Sequence, residues 1–235
     1  MYPCLVLPSR RVFPPPPSGA GRSQQHGWYA GRVLVKVCGI TNEPDALLAV
    51  GLGANALGFV FAPSARQMPA RAVARILDRL PSDVLTVGVF RNEAPRRVVD
   101  IVNEIGLGAA QLHGEEDSES CRYVSERVPI MLKAFPAGHP EIANLDKYGA
   151  DLVLIDSVSP GSGRVFDWSV AEGVADSSRM VVAGGLNSSN VGDVIERLRP
   201  YGVDVSTGVE MAPGRKDPRK LRAFMAAVES ANGSS

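Results

Sequence analysis

Eight short apolar or β-branched runs, separated by stretches with helical signals, restrict the fold of this chain more than any other feature. They occupy residues 33–39, 56–61, 84–90, 109–113, 130–135, 152–156, 180–183 and 203–206. Their starts fall about 20 to 30 residues apart, the length of one strand, one helix and two loops. The intervening stretches carry start signals and apolar faces. Asn42-Glu43-Pro44-Asp45 supplies a cap, a first-turn proline and early acids, and residues 69–80 place Val73, Ile76, Leu77 and Leu80 on one side. Asn92 is expected to cap 94–105 and Asp117 or Ser118 the segment through Val128, and Ser188 precedes a helical face of Val191, Val194, Ile195 and Leu198. Asp217-Pro218 opens the last helix. Strict β/α alternation implies a parallel sheet covered by helices, and eight such units close most economically into one (β/α)8 TIM barrel over residues 33–230. A doubly wound α/β sheet is the alternative. It would want a GxGxxG after the first strand, where this chain reads Cys38-Gly39-Ile40-Thr41.

Residues 1–32 differ from the rest. They hold Pro14-Pro15-Pro16-Pro17, then Ser18-Gly19-Ala20-Gly21, with scattered arginines and too short an apolar run for a signal peptide. Such a segment buries too little apolar surface to offset its ordering entropy, so it reads as a disordered extension or an early start codon. A polyproline II ligand is the competing reading.

Composition narrows the function. Lys plus Arg equals Asp plus Glu at 25 each, which argues against a nucleic-acid partner. The three cysteines, Cys4, Cys38 and Cys121, form no CxxC pair and lie near no histidine at ligand spacing, so no metal site is expected. With no membrane-length apolar run, a cytoplasmic protein is expected.

In a barrel the C-terminal strand ends form the active-site rim. Here those ends carry Cys38-Gly39, Gln111-Leu112-His113-Gly114, Ile155-Asp156, Gly184-Gly185 and Ser206-Thr207-Gly208, with Arg66 in the segment after strand two. The glycines and hydroxyls ending strands seven and eight suit a phosphate cradle, because glycine lets backbone N–H groups approach an oxyanion. A small phosphorylated substrate follows. Cys38 is either a buried small hydrophobe or a base. Asp156 either caps a loop or acts as an acid. Together they offer one proton acceptor and one donor at the same mouth. A cysteine base must be a thiolate, so its surroundings are expected to lower its pKa. Lys36, two residues away, shares the strand face. Arg66 is either a solvated charge or a carboxylate clamp, and His113 is either loop-bonded or catalytic. Gly161-Ser162-Gly163-Arg164 reads as a lid or a surface turn.

Lys36-Val37-Cys38-Gly39-Ile40-Thr41, Gln111-Leu112-His113-Gly114 and Leu154-Ile155-Asp156-Ser157 occur in order. They are followed by Gly161-Ser162-Gly163, Phe166-Asp167-Trp168, Ala183-Gly184-Gly185-Leu186-Asn187, Ser206-Thr207-Gly208-Val209-Glu210 and Pro213-Gly214-Arg215-Lys216-Asp217. This series closely resembles the phosphoribosylanthranilate isomerases of tryptophan biosynthesis, over about residues 33–228. The resemblance implies a cofactor-free Amadori rearrangement of N-(5′-phosphoribosyl)anthranilate. In that chemistry Asp156 is the general acid that opens the furanose ring, Cys38 the base at C2′, and Arg66 the partner of the anthranilate carboxylate. His113 and the glycine-rich ends would line the substrate. Departures are mild: Ala65 and Gln67 flank the arginine where the family often has proline or lysine and an aromatic, Thr207 stands for a second serine, and Ser162 interrupts the lid glycines.

Among rivals, a pentose-phosphate epimerase would need metal-binding histidines at several strand ends, and only His113 of three histidines lies at one. An isomerase that also takes the related histidine-pathway aminoaldose is harder to exclude; that long ligand has two phosphates, whereas the sequence shows one clear phosphate cradle and no internal half-barrel repeat. A silent binding barrel would bind ligand without turnover. Monomer and homodimer both remain open, with no large apolar helix face to favour the latter.

Overall fold

The computed structural model describes residues 33–156 and 177–233. Each of the eight expected runs coincides with one strand to within a residue or two: β1 (Leu34–Cys38), β2 (Ala56–Val60), β3 (Leu85–Phe90), β4 (Ala109–Leu112), β5 (Met131–Pro136), β6 (Leu152–Asp156), β7 (Met180–Val182) and β8 (Gly202–Val205). They form a closed parallel barrel in sequence order. Pairing of Leu34 with Gly202 through Val37 with Val205 closes β1 against β8. Between strands run α1 (Glu43–Gly51), α2 (Ala70–Leu77), α3 (Pro95–Ile105), α4 (Ser118–Ser125), a short α5 (Leu145–Tyr148) and α6 (Val191–Leu198). After β8 come a 3₁₀ turn (Thr207–Val209), an antiparallel ribbon of β9 (Glu210–Ala212) with β10 (Arg215–Lys216), and α7 (Pro218–Asn232). The extension 1–32 and the expected lid 161–164 lie outside the described residues.

Strand alternation divides the core in two. Leu34, Ala56, Val87, Leu132, Leu154 and Val181 fill the barrel interior. Val35, Val37, Phe59, Val153 and Val203 face outward against Val73, Ile101, Val194 and Phe224 of the helices. Higher in the barrel the interior turns polar. Counting by twos from Leu34 brings Lys36 and then Cys38 inward, and the same step carries β4 to Gln111 and His113, β6 to Asp156, and β8 to Asp204 and Ser206.

Three of the expected caps are made. Asn42 accepts from the Asp45 N–H at 2.9 Å, Asp117 from Ser120 at 2.7 Å, and Asp217 from Arg219 and Lys220 at 2.8 and 3.2 Å. Each contributes about 1 kcal/mol. One is corrected. Asn92 does not cap α3, whose cap position is Ala94. Its backbone takes a positive φ of 53°, and its side chain accepts from Glu115 N at 2.7 Å across the next loop. At α6, which follows Ser188, the cap position is Asn190, and Asn187 and Asn190 spend their side chains inside the loop, Asn190 Oδ1 accepting from Asn187 N at 2.8 Å.

Candidate active site

Cys38 ends β1 facing the barrel interior and is buried. Its register partner on β2 is Gly58, where a Cβ would stand 2.8 Å from the Cys38 Sγ and 3.1 Å from the Lys36 Nζ. The missing side chain at Gly58 is therefore what lets thiol and ammonium share that space. Lys36 is wholly buried and pairs with Asp204, its register partner on β8, at 2.9 Å. Burial by itself would lower the Lys36 pKa, but Asp204 and Cys38 more than reverse this and hold it above its ordinary value. The expected lowering at Cys38 is corrected. Burial pushes the thiol up, helped by the Asp204 charge, and outweighs the opposing pull of Lys36 and Lys216.

Asp156 ends β6, with His113 Nε2 3.2 Å from its Oδ2. Gln111 Nε2 donates to His113 Nδ1 at 2.8 Å, which puts the ring proton on Nε2, facing the carboxylate. His113 is thus bonded both to Gln111 on its own strand and to Asp156 at the end of β6. Gln111 itself is buried, and its Oε1 has no partner among the described residues.

Arg66 is not a solvated charge. Its Nε and Nη2 grip Glu210 at 2.8 and 2.6 Å, a two-pronged pair that raises the guanidinium pKa. Lys216, also buried, donates to Glu210 Oε1 at 3.1 Å and to the Cys38 carbonyl at 2.6 Å. Arg66 lies across Gly39, where a Cβ would come within 2.5 Å of its Cδ and 3.2 Å of the Ser206 Oγ. Arg66, Ser206 and the Cys38–Gly39 turn are thereby brought together.

The two glycine-rich loops meet as well. Gly184 and Gly185 both take positive φ, 89° and 69°, which side-chain-bearing residues adopt only with strain. A Cβ on Gly208 would collide with the Leu186 carbonyl, so glycine there is what permits the β8 turn to lie on the β7 loop. Gly184, Gly185, Ser206, Thr207 and Gly208 are each half-buried. The first N–H groups of the turn that Thr207 and Gly208 begin have no acceptor within it. A cavity of about 500 Å³ lined by Val33, Leu52, Asn55 and Met225 lies at the other end of β1, on the rim that serves stability.

Comparison with known proteins decides the family. The model of N-(5′-phosphoribosyl)anthranilate (PRA) isomerase matches residues 35–227. The chain belongs to the PRA isomerase family. It is 48% identical to the Desulforudis audaxviator N-(5′-phosphoribosyl)anthranilate isomerase, over 82% of this chain and 96% of that protein. The crystal structure of the Thermus thermophilus phosphoribosyl anthranilate isomerase superimposes with a TM-score of 0.78 at 42% identity, covering 84% of this chain and 99% of its own. A further PRA isomerase structure, 39% identical with a TM-score of 0.75 over 84% of this chain and 99% of its own, is a complex with reduced 1-(o-carboxyphenylamino)-1-deoxyribulose 5-phosphate.

Within this PRA isomerase framework, sequence reasoning quoted Gln111, Glu210 and Lys216 in its motifs without giving them a role, and passed over Asp204. Strand alternation could have supplied Gln111 and Asp204, since each stands two residues before a rim residue. Glu210 and Lys216 follow β8 in an extra ribbon whose fold no strand–helix periodicity signals. Among the described residues, no three His, Cys, Asp or Glu side chains come together as a metal site, and no helix is long and apolar enough to cross a membrane.

Proposed function

We propose that the chain is a phosphoribosylanthranilate isomerase in which Cys38 and Asp156 exchange protons with the substrate and no cofactor takes part. The observation that carries this is the placement of both groups on the interior face at C-terminal strand ends, beside a glycine-rich junction of the β7 and β8 loops, in a member of this family. The reaction belongs to tryptophan biosynthesis. Asp156 gives a proton to the furanose ring oxygen as the C1′–O bond breaks, and the anthranilate nitrogen lone pair forms the C1′=N bond. The Cys38 thiolate then takes the C2′ proton, and those electrons form C1′=C2′ and neutralise the nitrogen. Loss of the C2′ hydroxyl proton and protonation of C1′ give 1-(2-carboxyphenylamino)-1-deoxyribulose 5-phosphate, with no net gain or loss of atoms.

His113 holds the Asp156 carboxyl in place through the bond that Gln111 orients. Arg66 takes the anthranilate carboxylate with the guanidinium edge that Glu210 leaves open, its Nη1. Gly184, Gly185, Ser206, Thr207 and Gly208 hold the phosphate by backbone N–H groups and hydroxyls. In this reading residues 33–230 are one catalytic domain, residues 1–32 add nothing to the chemistry, and the enzyme works in the cytoplasm. It works as a monomer or homodimer; one solved relative is described as monomers generated from the dimeric Thermotoga maritima enzyme. The test is conversion of freshly made phosphoribosylanthranilate by the purified full chain with a chelator present and no added cofactor. Product formation supports the reading. Binding of the product analogue without turnover would make the chain a silent barrel.

A further inference from the structure

A lysine wholly inside a barrel wall is costly to bury, and replacing a buried ion pair with apolar side chains is often neutral or stabilising. Lys36 therefore calls for a reason beyond holding the fold, and its surroundings supply one. Its Nζ and the Cys38 Sγ converge on the same space over Gly58, 3.1 and 2.8 Å from one point. Asp204 pins the ammonium there with a single oxygen, Oδ2, at 2.9 Å. The second oxygen, Oδ1, is buried without a partner among the described residues. The ion pair is thus not built as a closed unit.

The charges around the thiol extend the argument. Among the described residues, the charged groups acting on Cys38 are Lys36 on β1, Asp204 on β8, Lys216 on the ribbon and Arg66 after β2, while Glu210 and Asp45 of α1 are bonded to Lys216 at 3.1 and 2.9 Å. Lys36 is the cation that acts most strongly on the sulfur, ahead of Lys216. Lys216 is committed elsewhere, to the Cys38 carbonyl and Glu210.

We propose that Lys36 is the positioning residue that makes Cys38 usable as a base: its ammonium, pinned by Asp204 beneath the thiol, is the counter-charge of the Cys38 thiolate. This rests on the reading of Cys38 as the base, yet it is tested without turnover. Gly58 belongs to the same device, because any side chain there would separate the two groups.

The experiment uses the full chain carrying Cys4→Ser and Cys121→Ser, so that Cys38 is the one thiol. Its titration is followed by thiolate absorbance and by the pH dependence of iodoacetamide alkylation. Lys36→Met is expected to raise the titration midpoint enough to cut the thiolate fraction near neutral pH roughly tenfold or more, a shift of at least one pKa unit. Lys36→Arg restores most of it. Asp204→Asn, which keeps the ammonium and removes a negative charge, moves the midpoint the other way. A merely structural role for the pair predicts no such opposed shifts. If Lys36→Met fails to fold because Asp204 is left unpaired, the Lys36→Met/Asp204→Leu protein replaces it and is still expected to titrate higher. An unchanged or lowered midpoint on loss of Lys36, or a raised one in Asp204→Asn, overturns the proposal. Normal turnover in a Cys38→Ser protein would instead overturn the assignment of the base and leave the titration result standing.

Discussion

Lys133→Met should be among the most destabilising single changes in this barrel. Lys133 lies on the outward face of β5, with a side chain only 2% exposed. Its ammonium donates to the Gly114 carbonyl and to Glu116 Oε2, both at 2.7 Å, and reaches the Leu112 carbonyl at 3.5 Å. Glu116, 5% exposed, also accepts from the backbone N–H groups of Asn92 and Gly114 at 2.9 Å each. The pair therefore ties the β3 and β4 loops to β5, and His113 sits between the two carbonyls that Lys133 holds. Methionine fills most of the volume but leaves the carboxylate buried without its cation. Removing one partner of a buried pair costs about 3–5 kcal/mol. For a domain of this size each kcal/mol lowers Tm by roughly 2–4 °C, so a fall on the order of 6–20 °C is expected. Adding Glu116→Gln keeps the acceptor for the two N–H groups and removes the orphaned charge, so the double variant should melt above Lys133→Met. Thermal melts at neutral pH, with the four corners of the cycle compared, measure this. A loss under about 1 kcal/mol in Lys133→Met, or a double variant no more stable than it, would refute the reasoning.

Three further outcomes are expected. Glu210→Gln weakens the grip that aims Arg66, so steady-state kinetics should show KM raised about tenfold, worth about 1.4 kcal/mol, with kcat changed far less; an equal fall in kcat would place Glu210 in the chemistry instead. Burial would raise the Glu116 carboxyl, but Lys133 and the Asn92 N–H hold it below its ordinary value. Its stabilisation is therefore complete above the unfolded-chain pKa of about 4.3 and is lost as pH falls through the lower folded value; Tm against pH should flatten there in Glu116→Gln, keeping the residual slope from Glu210, which is also depressed. Deleting residues 1–31 should leave kcat/KM unchanged, because the Desulforudis audaxviator relative is covered over 96% of its length by 82% of this chain; a large loss in the truncated, folded protein would contradict that.

The barrel was legible because it repeats. Each β/α unit carries its own apolar or β-branched run followed by a helical stretch, and Asn42, Asp117 and Asp217 cap as their local sequence suggests. Asn92 fails because the loop claims its side chain, which accepts from Glu115 N across the next loop, and loop geometry depends on neighbours far along the chain. The rim residues were legible from their positions at strand ends. Their partners were not, because the pairs joining them span long separations: 168 residues for Lys36 with Asp204 and 144 for Arg66 with Glu210. Nothing local marks Arg66 as paired. The direction of the Cys38 pKa was misjudged because a nearby lysine is visible in sequence, whereas full burial of the sulfur is a property of the closed barrel.

The most direct test of the central claim is turnover of phosphoribosylanthranilate by wild type, Cys38→Ser and Asp156→Asn, each checked for folding. General acid and base groups contribute on the order of 10²–10⁴-fold apiece, so both variants should lose at least the lower figure while wild type turns over. An inactive wild type, or near-normal rates in both folded variants, would contradict the account.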